Sequence, residues 1–479
     1  MKKYFNKLLV GAVLLLAVAC DPSDFGDLNV DPTKVSSAST KALLTNALQS
    51  LPGTMFGNNT SNFYVQYLSE GPYPGASLYS TVNFDWATTY HGPLANLQTI
   101  IDYNNANNPN ADEVVNGAKA NQIAVARILK AYYFWWLTDR YGDIPYFQAL
   151  TGAKNFYPAY DLQKDIYYDI FKELTEAVAQ LDESKAGPVG DILLGGDVKS
   201  WKLFANTVRL YAALRLIKND YEKGKTEFNA AITAGILSSN SDNIFYEYIG
   251  GDPNNYNPWY TNYSVSNRND YAISTTMTSY MQPLSDPRLP LYGEVLGGGV
   301  VKGLSYGSSA ARNIPNAYSR IGDDFRGAGS PAALFTYAQT LFVLAEGTKA
   351  GYIAGGDAQA EIHYYNAIKA SFEQNGVYTA SGYSAYIANA TVTYSAAEGL
   401  QKIIMQKWVH QYLNGYEAWA DWRRTGFPVL TPAADGSISS IPRRQGYPTP
   451  EKSLNKKNYD AAIAIQGTDN LVTRTWWDK

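Results

Sequence analysis

Among its 479 residues the chain has one cysteine, Cys20, and three histidines, His91, His363 and His410. A lone cysteine excludes an internal disulfide. With three scattered histidines, no HExxH pairing and no second thiolate, the sequence carries no zinc-site pattern either. Charge is sparse as well: 17% of residues are charged, 43 acidic against 39 basic, for a net charge of −4. Without a basic excess, nucleic acid and anionic lipid are poor partners. The one long apolar run, Leu8 to Val18, is about half of what a membrane-spanning helix needs. Aromatic residues are abundant, with 39 tyrosines and 10 tryptophans, and 46% hydrophobic content is that of a folded protein. Tyrosine joins a flat apolar face to a hydroxyl, which suits wet, sugar-like surfaces as well as helix interfaces.

Lys2, Lys3 and Lys7 precede that apolar run, which closes on Ala19-Cys20. The pattern is a secretory signal over residues 1–19 with a cysteine placed for lipidation. Ala17 stands where a lipobox usually has leucine, and Leu16 lies one place further back. More than one acyl chain, at about 0.8 kcal/mol per buried CH2, would hold Cys20 stably in a membrane. Residues 20–35 read as an acidic tether, with Asp21, Asp24 and Asp27 before Asn29-Val30-Asp31-Pro32. Removing the signal takes away three lysines and moves the net charge from −4 to −7.

From residue 36 to 479 the periodicity predicts a single all-α domain. Ala118 to Tyr141 is apolar nearly all round in its second half, as expected of a helix covered on several sides, and Gly142 and Pro145 follow it. Ile166, Ile170, Leu174, Val178 and Leu181 form one stripe of an amphipathic helix. Trp201 to Ala234 reads as a helix pair, and Leu334 to Gly376 as another, with small residues at the crossings, in the manner of tetratricopeptide repeats. A last helix carries Leu400, Ile404, Trp408 and Tyr412 at four-residue spacing, then leads through Glu417 to Arg424.

Two stretches, near residues 71–90 and 238–330, lack a helical period and are rich in Gly, Pro, Asn and Tyr. Long loops with this aromatic content are expected to form a ligand face. The richest segment alternates Tyr256, Trp259, Tyr260 and Tyr263 with Asn262, Arg268 and further asparagines. Rings can stack on a sugar's apolar face while amides and guanidinium bond its hydroxyls, the alternative being that they only pin the loop. Trp259→Ala is expected to lose ligand and keep the fold. Tyr73, Tyr79 and Trp86 form a second group. Tyr73 and Tyr79, among Gly and Pro, are expected to be exposed, and Trp86, at the start of a helix through Tyr90, Leu94, Leu97 and Ile101, is expected mainly to pack.

Three catalytic or metal patterns are weaker. Gly303-Leu304-Ser305-Tyr306-Gly307 matches the GxSxG nucleophile elbow, but the glycines before it and Pro315 after it do not supply strand and helix. Asp252 with Asn254 and Asn255, or Asp323-Asp324, could hold a structural calcium, yet no EF-hand spacing is present. Glu417 and Asp421 could serve a helical glycoside hydrolase, but neighbours on one helix cannot flank a sugar bond, and Arg423 and Arg424 beside them suggest a salt-bridged corner. No catalytic residue, cofactor or metal is assigned.

In order along the chain, FDWATTYHGPLANLQTII, AVARILKAYYFWWLTDRYGDIPYFQAL, GDVKSWKLFANTVRLYAALR, SDPRLPLY, WVHQYLNGYEAWADWRRTGFP and TRTWWD resemble the SusD/RagB family of surface lipoproteins. The resemblance implies repeat-type helix pairs with an irregular ligand face, and a lid over a TonB-dependent, SusC-like barrel that closes on oligosaccharide or peptide. It also implies an outer-membrane location, held by lipid at Cys20. The tryptophan and tyrosine arc of the starch-binding type is not located in this sequence, so starch is not assigned.

Overall fold

The long apolar stripes fold as helices that pack in pairs. The computed structural model describes residues 38–55 and 60–479; the signal, Cys20 and the whole of the 20–35 tether lie outside the described residues. The main helices are α1 (Thr40–Met55), α2 (Ala95–Asn105), α3 (Lys119–Tyr141), α4 (Gln163–Gln180), α5 (Val198–Arg215), α6 (Tyr221–Ala234), α7 (Tyr337–Lys349), α8 (Gly356–Gln374), α9 (Gly399–His410) and α10 (Gly415–Thr425). The fold is all-α, as the periodicity predicts. Among the described residues no helix is long and apolar enough to cross a membrane.

Helix α3 is buried on nearly every face and stops at Gly142, whose φ of 83° suits glycine and whose N–H donates to Thr138 O. Asp197 caps α5 by accepting from the N–H groups of Lys199 and Ser200. The α5–α6 and α7–α8 pairs form as expected, and glycines set the approach of their helices. A Cβ on Gly347 of α7 would stand 2.5 Å from the Phe228 ring of α6. One on Gly224 of α6 would meet the Ala213 carbonyl of α5 at 2.9 Å.

The region 238–330 is more ordered than the lack of helical period suggests. Short strands and single helical turns fill it: Ile244–Tyr246 pairs with Ala332–Phe335, and Tyr271–Ile273 pairs antiparallel with Leu68–Glu70. This second ladder ties the two predicted loops together.

Helices α9 and α10 are not one run through Tyr412. The chain breaks at Gln411–Asn414, where Leu413 takes a φ of 67°, a left-handed conformation costly for a branched residue. Behind the break lies a buried ionic corner. Arg215 Nη2 holds both Glu417 oxygens at 2.8 and 2.9 Å, Lys407 Nζ lies 2.8 Å from Asp421, and Arg424 joins Asp421 at 2.9 Å to Glu346 at 2.8 Å. Burial alone would raise the Asp421 carboxyl, but Lys407, Arg424 and Arg215 hold it down to about 2. Arg423 takes no carboxylate; it donates to the Asp139 and Arg443 carbonyls and stacks between Trp419 and Trp477.

Candidate functional site

The turn between α9 and α10 forms one wall of a cavity of about 300 Å3. Opposite walls come from the irregular region, through Tyr248, Asn257, Trp259, Tyr292 and Phe325, and from the start of α7, through Thr336 and Gln339. The size is at the lower end of ordinary small-ligand sites. Tyr292 and Tyr412 stack at 4.5 Å with an 11° tilt, and Phe325 meets both edge-on. The result is a rigid aromatic wall.

Several residues that line this apolar setting carry buried polar atoms with no partner in the protein. Gln411, 4% exposed, has no hydrogen-bond partner at either amide atom. The same is true of Gln339 Nε2, in a residue 2% exposed, and of the Tyr412 hydroxyl, in a residue 5% exposed. An unpaired buried group costs about 1–3 kcal/mol, so three side chains left this way in one cavity point to a partner from outside. The strained Leu413 backbone lies in the same wall, where such strain often marks function.

The lining is electrically neutral apart from Asp324, an exposed residue. His410 lies between Thr336 Oγ1 at 2.7 Å and Ser371 Oγ at 2.9 Å. Burial, with Arg288 and Lys407 near, pushes its pKa down to about 3, so the ring is uncharged at neutral pH. Anionic ligands find no cation here, and neutral ones find donors, acceptors and rings.

Of the residues singled out in the sequence, Trp259 lines the cavity, though it is 4% exposed and edge-on to Tyr271. Trp259→Ala would therefore open a core void as well as remove a ring, and the fold would not be spared as expected. Asn257 proves to be a strut: its side chain accepts from Trp259 N and donates to the Phe325 and Ser330 carbonyls. Tyr256 and Tyr260 meet edge-on at 5.1 Å and are half-buried. Tyr263 is buried, donating to Tyr271 O at 2.6 Å beneath Arg320 and Arg326.

The two predicted loops do meet at a second place. Tyr73, 66% exposed, lies under the Arg268 guanidinium at 5.4 Å; Arg268 pairs with Asp270 at 2.7 Å, and Asn262 donates to Asp270 at 3.1 Å. Tyr79 is not exposed as expected. At 1% exposure it is core, its hydroxyl accepting from Ala433 N, because its φ of 58° turns the ring inward from an otherwise open loop. Trp86 packs among Tyr90, Tyr141, Tyr160 and Tyr447 and is 5% exposed, the packing role expected of it.

Sequence reasoning missed Gln339, Gln411, Tyr412 and Tyr292. For Gln411 and Tyr412 a signal was present: Asn414-Gly415 is a turn dipeptide inside a helical pattern, and it marks the break.

The GxSxG segment is irregular, with Leu304 in a small apolar cluster and Tyr306 bonded to Tyr79, so the elbow is absent. Among the described residues no group of three or more His, Cys, Asp or Glu could hold a metal ion. Asp252 serves as a turn cap for Asn254, and Asp323 pairs with Arg326.

A family model described as starch-binding and associating with the outer membrane, the SusD-like family, matches residues 32–448. This chain belongs to the SusD-like family. No curated protein matches it by sequence. Among solved structures, a SusD-like chitin-binding protein from Flavobacterium johnsoniae is similar at 27% identity and a TM-score of 0.74, over 92% of this chain and 98% of that one. Another chitin-binding protein is similar at 28% and 0.76, over 92% and 100%. A SusD homologue from Bacteroides uniformis is similar at 25% and 0.78, over 92% and 98%. The helix pairs and the irregular region between them are thus the SusD-like architecture.

Proposed function

We propose that this protein captures a neutral oligosaccharide at the cell surface and hands it, as a lid, to a SusC-like TonB-dependent barrel in the outer membrane. The single observation that carries the reading is the neutral, aromatic-walled cavity with unpartnered amides at Gln411 and Gln339. Apolar rings with a few convergent polar groups are how proteins hold sugars without charge. Membership of a family described as starch-binding supports a glycan, and the chitin-binding neighbours favour it over the peptide alternative. The outer face of Tyr73, Arg268 and Asn262, with Tyr256 and Tyr260, would contact the part of the chain that leaves the cavity.

In this reading residues 1–19 are removed, Cys20 carries the lipid, residues 20–35 are the tether and residues 36–479 form the lid. Tethering raises the local concentration of captured ligand at the barrel. No reaction is assigned, and the ligand is released unchanged.

The test is a calorimetric panel of neutral glycans, acidic glycans and peptides on the full-length protein in detergent, with reducing ends assayed afterwards. Binding confined to neutral glycans without turnover is the expected result. Binding confined to peptides, or new reducing ends, would overturn the reading.

A further inference from the structure

Gln411 differs from the buried amides of Asn257, Asn206 and Gln466 in how little it is used. Asn257 and Asn206 spend their side chains on backbone groups, and Gln466 does so on Asp143 N and Tyr141 O. Gln411, a residue of the cavity wall, keeps both the donor and the acceptor of its amide unpartnered. Its complement is a group that offers an N–H and a C=O together.

Resting on the glycan-capture reading, we infer that the cavity takes a neutral sugar ring bearing an acetamido group, and that Gln411 is the side chain that reads it. A secondary amide pairs with both free atoms of Gln411. A hydroxyl at the same ring position reaches only one of them at good geometry and leaves the other buried and unpaired. Gln339 Nε2 and the Tyr412 hydroxyl remain for the ring's own oxygens. The stacked Tyr292 and Tyr412, with Trp259, supply apolar surface for the acetyl methyl and one ring face. A volume of about 300 Å3 accommodates one substituted ring, and the remaining units extend outside.

Charge excludes the other common ring substituents. A uronic carboxylate or a sulfate would need a cation, and the lining supplies none: burial keeps His410 uncharged between Thr336 and Ser371, and the one other side chain there that can carry charge, Asp324, is acidic. A protonated amino sugar meets one carboxylate, Asp324, at an exposed position, and loses its hydration along the rest of the wall. The turn that carries Gln411 is held in place at the cost of a left-handed Leu413, which fits a wall shaped for a ligand.

The experiment compares two β-1,4-linked trisaccharides, tri-N-acetylchitotriose and cellotriose, which differ at the acetamido position, with a capped neutral tripeptide as third probe. Each is titrated calorimetrically into the full-length protein in detergent. The acetylated trimer should bind on the order of tenfold to a hundredfold more tightly than cellotriose, the discrimination two neutral hydrogen bonds provide. Gln411→Met, of similar volume, should bring the acetylated trimer to the affinity of cellotriose. Gln339→Met should weaken both sugars and keep their ratio, which also decides the matter should Gln411→Met fail to fold. Equal affinity of the wild type for the two sugars overturns the acetamido assignment and leaves glycan capture standing. Binding of the tripeptide alone overturns both.

Discussion

Two buried polar regions lie a few residues apart on α9 and α10, and they are built on opposite principles. In the ionic corner every carboxylate faces a cation: Glu417 faces Arg215, Asp421 faces Lys407 and Arg424, and Glu346 faces Arg424. In the cavity wall Gln411, Gln339 and Tyr412 face nothing. Folding must cover the cost of the second region without return, whereas in the first each carboxylate's charge is balanced by a cation, although Arg215 Nη1, Lys407 Nζ, Asp421 Oδ2 and Arg424 Nε make no hydrogen bond of good geometry. Paired burial holds the break between the helices in place; unpaired burial leaves chemistry available there for a ligand.

The comparison breaks most visibly at Asp421. Asp421→Ala strands Lys407 in a dry interior, leaves Arg424 with Glu346 alone, and should cost about 3–5 kcal/mol in urea denaturation. A loss below about 1 kcal/mol would mean the corner is not holding the helices together.

Glu70 sharpens it next, as a largely buried carboxylate answered by the Ser77 N–H at 2.8 Å rather than by a cation. Burial pushes its pKa up to about 7, above the ordinary 4.5. A raised folded value means its stabilising contribution is complete below pH 4.5 and is lost as pH rises through 7. Glu70→Gln should therefore flatten the fall in melting temperature between pH 5 and 8, by the equivalent of about 1–2 kcal/mol. An unchanged slope would contradict this.

At the cavity the sign reverses. Gln411→Met removes an unanswered amide and should leave stability unchanged or raise it by about 1 kcal/mol, while ligand affinity falls. Destabilisation would place Gln411 with the structural amides. The smallest effect is at the outer face, where Arg268 and Tyr73 are exposed: Arg268→Ala should leave the melting temperature where it is and weaken only longer glycans.

The sequence carried the scaffold well and the site poorly, for a physical reason. Helix pairs announce themselves by apolar residues at regular spacing, and the α5–α6 and α7–α8 pairs and the covered α3 were legible in that way. The cavity is made of single side chains from three places far apart in the chain, Trp259, Gln339 and Gln411, and no periodicity joins them. Helical spacing even concealed it, since Tyr412 continued the four-residue register of Leu400, Ile404 and Trp408 past the point where the helix stops. Aromatic loops proved a partial guide. Tyr73 and Arg268 do meet, but Tyr79, Trp86 and Tyr263 are core, because half of what makes a tyrosine good for sugars also makes it good for packing.

The most direct measurement is a crystal structure of the protein with a bound neutral oligosaccharide. One sugar ring should lie against Tyr412 and Trp259 with Gln411 and Gln339 donating to it. A glycan seated wholly elsewhere, with the cavity holding only water, would contradict the assignment of these buried amides to ligand capture.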